Sequence, residues 1–365
     1  MTADDAPRVL LVLGTSGGGV GRHVRALEEG LAAQGIPVLV AGPAATRQAF
    51  GFDRFTAVDV ADRPRPAADA RAVRTLRRLV RDADVVHAHG LRAGALAALA
   101  RPGLRRGAGP RLVVTLHNAL TATGVVAAVY AVLERIVARG ADAVLVVSGD
   151  LGDRMRALGA RRVDLAVVPA PVRAPTPGVT RDAVRAALGL PAGTALAVTV
   201  ARLAQQKGLD LLLEAAARWR DDGVPVLVAV AGDGPLRAAL QARADAEGLP
   251  VRLLGHRDDV PDLLAAADVV VSPSRWEGQP LSLREALRAG AAVVATDVGG
   301  VGAVTGDAAV LVPYGDPGVL ADAVAKVLAD DDLAGSLRAR AAGRARTLPT
   351  DADAVAQVLG LYRTL

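Results

Sequence analysis

The sequence predicts a doubly wound α/β protein built from two parallel-sheet domains. Three observations predict it. Short runs of Val, Leu and Ala alternate with longer helical patterns along nearly the whole chain, the signature of βαβ units. The alternation restarts once, after Pro169-Ala-Pro-Val-Arg-Ala-Pro-Thr-Pro-Gly178, whose four prolines in ten residues read as a linker. The 365 residues are 52% apolar, room for two domains of roughly 150 residues with a core in each.

In the first half the predicted strands are Val9–Leu13, Pro37–Ala41, Asp84–His87, Leu112–Thr115, Ala143–Val147 and Ala166–Val168. The amphipathic helices between them are Val20–Gln34, Ala67–Arg81, Leu91–Ala100, Gly124–Arg139 and Leu151–Leu158. In the second half the strands are Ala195–Val200, Pro225–Val230, Val251–Leu254, Val269–Val271 and Ala292–Ala295, with helices such as Gly208–Arg220 and Pro235–Glu247. The last 50 residues read as helices only. These patterns divide the chain into residues 1–172, residues 173–348, and a closing helix within 349–365 expected to pack back on the first domain.

Composition narrows the function. The absence of cysteine rules out disulfides, thiolate metal sites, Fe–S clusters and cysteine nucleophiles. Eight aromatic residues are too few for stacking platforms, so no nucleic-acid partner is expected. Met1 to Pro7 is acidic and Val9–Leu13 is too short for a signal-peptide core. The longest uncharged apolar stretch, Gly124 to Leu133, is about ten residues against the roughly 20 that span a membrane. A cytoplasmic protein is the expectation. Charge is unevenly spread: residues 1–175 carry 24 Arg against 15 acids, and the remainder is net acidic. A first half this positive suits an anionic lipid surface or a phosphorylated substrate.

In open parallel sheets ligands bind beyond the carboxyl ends of the strands, here expected in a cleft between the two domains. The first strand is followed by Gly14-Thr-Ser-Gly-Gly-Gly-Val-Gly21-Arg-His, a glycine-rich turn opening a helix, which suits a phosphate. It is not a dinucleotide fingerprint, because position 22 is Arg22. Nor does it end in the Gly-Lys-Ser/Thr of a Walker loop. Gly14-Thr-Ser16-Gly-Gly18 also matches a nucleophile elbow, yet an elbow on the first strand leaves no upstream oxyanion loop. Further strand ends carry His87-Ala-His89 and Thr115-Leu-His117. Their spacing supplies no third metal ligand, so no metal site is predicted. His87 reads as structural, while His89 and His117 lie beyond their strands as site candidates.

In the second half, Arg202 ends a strand and Lys207 precedes the next helix, two cations placed for a diphosphate. The chain has only two lysines, Lys207 and Lys326. Ser272-Pro-Ser-Arg-Trp-Glu277-Gly278-Gln-Pro280-Leu-Ser-Leu-Arg-Glu285 then runs strand, loop and helix. Pro280 sits at the helix start, leaving the amides of Leu281 to Leu283 free to meet an anion.

These residues resemble the GT-B glycosyltransferases, specifically the retaining family 4, glycosyltransferases group 1. Arg202-Leu-x4-Gly208 with Lys207 resembles the family's R-L-x3-K-G element. Val230-Ala-Gly-Asp-Gly-Pro235 resembles its G-x-G-P loop, and Glu277 with Glu285 its E-x7-E motif. Val293 to Gly300 and the Gly17–His23 loop also have counterparts.

The resemblance implies two Rossmann-like domains facing across a cleft. It further implies transfer of a sugar from a nucleotide-diphosphate-sugar donor to a hydroxyl acceptor, with retention and without metal or cofactor. Arg202 and Lys207 would neutralise the departing diphosphate, helped by Gly278, Gln279, Leu281 and Ser282. Glu285 would hold the ribose, Glu277 a donor-sugar hydroxyl, and His117 the sugar or acceptor. Gly18 and Gly19 would approach the phosphate, and Arg22, His23 and His89 would line the acceptor side.

Three departures from the family pattern stand out: Gln279-Pro280 after Glu277-Gly278, Pro169-Ala-Pro-Val-Arg173 before the linker, and Ala303 where an acid is usual. They favour, as the alternative, a non-catalytic relative that binds sugar nucleotide or scaffolds glycan assembly. Finally, Arg71, Arg74, Arg77, Arg78 and Arg81 share one helix with Val73, Leu76 and Val80. A basic amphipathic helix suits an anionic membrane and a lipid-linked acceptor.

Overall fold

A computed structural model of the chain describes residues 6–16, 18–61, 64–101, 109–118 and 124–365; Gly17 of the glycine-rich turn lies outside them, as do residues 1–5 and Arg105 and Arg106, two arginines expected with Arg101 to add to the charge of the arginine-rich helix. The chain forms two compact units, one of Met1–Pro169 with Pro349–Leu365 and one of Ala170–Leu348.

The first unit holds seven strands: β1 (Val9–Leu13), β2 (Val38–Gly42), β3 (Phe55–Ala57), β4 (Val85–His89), β5 (Arg111–Leu116), β6 (Ala143–Val146) and β7 (Val163–Leu165). They pair in parallel in the order β3-β2-β1-β4-β5-β6-β7. Every residue of β1 is buried, as befits an unbroken apolar run covered by helices on both faces. The second unit holds β8 (Ala195–Val200), β9 (Val226–Ala231), β10 (Val251–Gly255), β11 (Val269–Ser272), β12 (Val293–Thr296) and β13 (Val310–Val312). Their order is β10-β9-β8-β11-β12-β13, again parallel. Its core has two apolar layers, one around Leu212, Val228 and Val324, the other around Val198, Ala229 and Leu283. Trp219 anchors the first layer, buried with its indole N–H donating to Ala321 O at 3.1 Å.

The structure corrects the predicted elements at the sheet edges. β3 and β13 have no counterpart among the predicted strands, and the strand placed at Ala166–Val168 lies instead at Val163–Leu165. All three are three-residue edge strands, too short to carry a period. β4 runs two residues beyond the predicted His87, so His89 is its last residue and His87 is interior.

The order of strands turns back on itself at β1/β4 and at β8/β11. At such a reversal the connections leave on opposite faces and open a crevice at the carboxyl ends. The glycine-rich turn follows β1, and the Arg202–Gly208 segment follows β8.

The last helix, Asp351–Thr364, starts from a capping box in which Thr350 and Asp353 bond each other's backbone N–H. It closes the first unit. Gly30 gives it room: a Cβ there would stand 2.3 Å from Val355 Cγ2. Gln357 donates to Leu165 O at 2.7 Å and accepts from Val167 N at 2.8 Å. The Tyr362 hydroxyl shares a 2.7 Å hydrogen bond with His87 Nδ1, both groups buried. Among the described residues no helix is long and apolar enough to cross a membrane. Replacing Tyr362 by Phe strands the buried His87 nitrogen, so urea denaturation of Tyr362→Phe is expected to show a loss of ~1–3 kcal/mol.

Candidate functional site

In the second unit the carboxyl ends of β8 and β11 form a pocket. Thr199, Val200 and Ala201 line one side, Val270 to Ser274 the other, and Lys207, Glu277, Ser282 and Leu283 complete it. Lys207 ends a short 3-10 turn that Gly208 closes at φ +60. A Cβ at that glycine would lie 2.0 Å from Pro273 O, so the turn presses directly on the loop after β11.

Lys207 and Glu277 meet here. Lys207 Nζ donates to Glu277 Oε1 at 2.6 Å, with the carboxylate side chain 6% exposed and the ammonium side chain 21%. The same oxygen accepts from Ser274 Oγ at 2.6 Å. Ser274 is held in turn, its carbonyl accepting from Thr296 Oγ1 at 2.6 Å. The loop is clamped from both sides. Gln206 Nε2 donates to Trp276 O at 2.9 Å, and Gly300 N to Glu277 O at 2.9 Å. Gly299, at φ +56, would carry a Cβ only 2.0 Å from that same Glu277 carbonyl. The carboxylate is therefore a fixed fixture of the pocket.

The helix Leu281–Arg288 starts beside it. Pro280 is its N-cap and supplies no side-chain cap, and the first intrahelical bond runs from Arg284 N to Pro280 O at 3.3 Å. The amides of Leu281, Ser282 and Leu283 thus have no acceptor within the helix. Glu285 is half-buried one turn on. Gln279 accepts from Arg284 Nη2 at 2.5 Å. Burial and the neighbouring Arg288 and Arg344 pull the Arg284 guanidinium down to about 10. Arg202 is exposed and, with Gly278, Gln279, Leu281 and Glu285, lies outside the pocket lining.

In the first unit four of the five histidines gather at the carboxyl ends of β4 and β5. His87, inside β4, is fully buried and bonds Tyr362 on one nitrogen and Thr115 Oγ1 at 2.7 Å on the other. His89 stacks on it at 4.3 Å between ring centroids. His117, just past β5, shares a 3.2 Å hydrogen bond with His89. His23, on the helix Gly19–Ala33, stands edge-on to both His89 and His117 at 5.6 Å. Gly18 caps that helix without a side-chain bond, with Gly19 its first residue. Ser16 is committed locally, its Oγ accepting from Gly21 N at 3.0 Å. Arg22 is exposed on the same helix. Burial depresses His23 to about 4; burial, with the repulsion a protonated His23 would add, depresses His87 to about 3. It also carries His89 and His117 well below the usual imidazole range. Among the described residues no group of three or more His, Asp or Glu is placed to hold a metal ion.

On the helix Pro66–Arg81 the five arginines are exposed, while Ala68, Ala72, Leu76 and Val80 are buried. Its apolar face therefore belongs to the core of the unit, and only charge is left to meet a surface.

Residues 180–347 match the family Glycosyl transferases group 1, and residues 18–171 a Glycosyl transferase 4-like domain. The chain is 32% identical to the phosphatidyl-myo-inositol mannosyltransferase of Mycobacterium leprae, over 95% of this chain and 93% of that enzyme. The chain belongs to the group 1 glycosyl transferases. Other curated relatives are matched over less than half their length: the alpha-D-kanosaminyltransferase of Streptomyces kanamyceticus is 32% identical over 46% of this chain and 45% of that enzyme. In fold this family member resembles Anabaena HepE, solved with UDP and glucose. The TM-score is 0.80 at 20% identity, covering 98% of this chain and 100% of that one. The architecture is the two-domain GT-B fold.

The residues that support this family member's site carry little signal in the sequence. Ser274 stands within the quoted motif, three residues before Glu277, and only its hydroxyl spacing hints at a role. Thr296 reaches Ser274 across 22 residues and Tyr362 reaches His87 across 275, contacts no local pattern reveals.

The histidines make stability depend on pH. Their folded pKa values are depressed, so the unfolded chain, titrating near 6.5, binds more protons below that pH. Stability is complete above about pH 6.5 and falls as pH drops toward 4, by at most ~1.4 kcal/mol per pH unit for each histidine. Melting curves between pH 7.5 and 4.5 are expected to show this decline, and His23→Leu to make it shallower.

Proposed function

We propose that the chain is a retaining glycosyltransferase that moves a sugar from a nucleotide-diphosphate-sugar donor to a hydroxyl acceptor. The observation that carries this reading is the Lys207–Glu277 pair, locked at a topological switch point beside the uncapped helix start at Leu281. As the glycosidic bond to phosphate breaks, negative charge grows on the diphosphate. Lys207, Arg202 and the amides of Leu281 to Leu283 supply positive charge where it develops, the role that a divalent cation fills in other transferases. Catalysis then needs no added metal. Glu277, its one oxygen occupied by Lys207 and Ser274, offers the other to a donor-sugar hydroxyl. Glu285 takes the ribose hydroxyls. The sugar transfer named for the relatives supports a glycosyltransferase, and the UDP in the HepE structure supports a nucleotide-sugar donor.

For the acceptor we infer an anionic or lipid-linked molecule. Support comes from the five exposed arginines of Pro66–Arg81 and from the lipid named in the activity of the Mycobacterium leprae relative.

A panel of nucleoside diphosphates and sugar nucleotides tests the donor. One of them, at 100 times its dissociation constant, is expected to raise stability by ~2.7 kcal/mol in a thermal shift assay. Glu277→Gln is expected to keep that shift and lose transfer, with EDTA leaving wild-type transfer intact; a well-folded chain that no nucleotide stabilises would sink the reading. In flotation assays, vesicles of phosphatidylglycerol should carry the protein up at low salt and phosphatidylcholine vesicles should not. Replacing Arg74, Arg78 and Arg81 by Gln should abolish the difference.

A further inference from the structure

His89 is the most constrained residue of the histidine group. Its ring lies between His87, at 4.3 Å and 28°, and His117, at 5.5 Å and 25°, with His23 edge-on at 5.6 Å. His87 is itself pinned by Tyr362 and Thr115, and β4 sets His89 opposite Thr115 of β5. The plane of the His89 ring is therefore fixed, and its Nδ1 points at His117 Nε2, 3.2 Å away. Its other nitrogen, Nε2, is buried without a hydrogen-bond partner.

A neutral imidazole has one donor nitrogen and one acceptor nitrogen. Two arrangements satisfy the His89–His117 bond. If His117 Nε2–H donates to His89 Nδ1, the His89 proton sits on Nε2, a buried donor with nothing to receive it. If His89 Nδ1–H donates to His117 Nε2, only a lone pair is left unfilled. Among backbone groups, orphaned buried N–H donors are rarer than underfilled acceptors, and the same asymmetry is taken to hold for the imidazole. The second arrangement is preferred. Protonating both rings is no escape: all four imidazoles are held neutral by burial, and no carboxylate pairs with any of them among the described residues.

We propose that His89 is a positioning residue that holds His117 in the Nδ1–H tautomer, so that His117 meets its substrate as a neutral hydrogen-bond donor and not as a base. The functional half of this inference rests on the reading in which His117 touches the donor sugar or the acceptor. His117 is half-buried and its Nδ1 forms no bond among the described residues. A hydroxyl or phosphate oxygen is the group such a donor would serve.

The tautomer is read directly from long-range 1H–15N spectra of the full chain labelled at histidine, with the His117 signals assigned by His117→Gln. Wild type is expected to show a pyrrole-type Nδ1 and a pyridine-type Nε2 at His117; the reverse assignment overturns the proposal. In His89→Phe an aromatic ring is kept and the donor removed, and His117 should revert to the Nε2–H form that free histidine favours. His89→Asn, whose amide N–H can donate from nearly the same place, should restore Nδ1–H. An unchanged His117 spectrum in His89→Phe also overturns the proposal, and if neither variant folds the wild-type spectrum alone decides it. In transfer assays His89→Phe should lower kcat about tenfold, the worth of one hydrogen bond, with KM unchanged and recovery in His89→Asn. A wild-type chain with the expected spectrum and no turnover would count against the transferase reading while leaving the tautomer assignment standing.

Discussion

The constraint on which the rest depends is the reversal of strand order in each parallel sheet. A parallel pair needs a crossover, and the crossover takes a fixed hand. Building outward in both directions from a central strand therefore sends successive helices to opposite faces. At β8/β11 the strand ends are left uncovered, and the segments that follow them must lie side by side. That adjacency brings Lys207 within 2.6 Å of Glu277 although the two stand 70 residues apart in sequence. At β1/β4 the same geometry sets the glycine-rich turn near the strand end that carries His89. The chemistry of the chain is concentrated at points that topology opened.

The two units equip those points differently. In the second unit the polar groups are a cation, a carboxylate and uncapped helix amides, all groups whose worth rises as water is excluded. The carboxylate is held by a hydroxyl, a lysine and a backbone clamp, so its position costs nothing further to organise when a ligand arrives. In the first unit the polar groups are imidazoles without a counter-ion among the described residues; three are buried and His117 is half-buried. Burial there removes charge and leaves hydrogen-bond direction as the property that varies. The first of these arrangements fixes charge, the second fixes geometry.

Much of this was legible in the sequence because it is written locally. The central strands are continuous runs of Val, Leu and Ala; the helix Leu91–Ala100 has its predicted limits, and Lys207, Glu277 and Ser282 sit in segments that follow such strands. What escaped is either short or distant. β3, β7 and β13 contribute three residues each at an edge, where one neighbour and partial exposure blur the apolar signature. The partners of the site residues escaped for a different reason. Nothing near Thr296 or Tyr362 in sequence announces that their hydroxyls will satisfy groups on other strands. The arginine-rich helix shows a third case: its apolar stripe is real, but a sequence pattern does not say which surface it will meet, and here it meets the core.

The closing helix has a consequence for how the molecule is made. The first unit takes in Pro349–Leu365, so the ribosome must deliver the whole of Ala170–Leu348 before the first unit can be completed. At about 5–20 residues per second that interval lasts on the order of ten seconds or more. Throughout it the groove beside Gly30 has no Val355 to fill it, and the buried nitrogen of His87 has no Tyr362. The nascent first unit is thus an unfinished fold exposed to chaperones and proteases, and any chain terminated early would carry that lesion permanently.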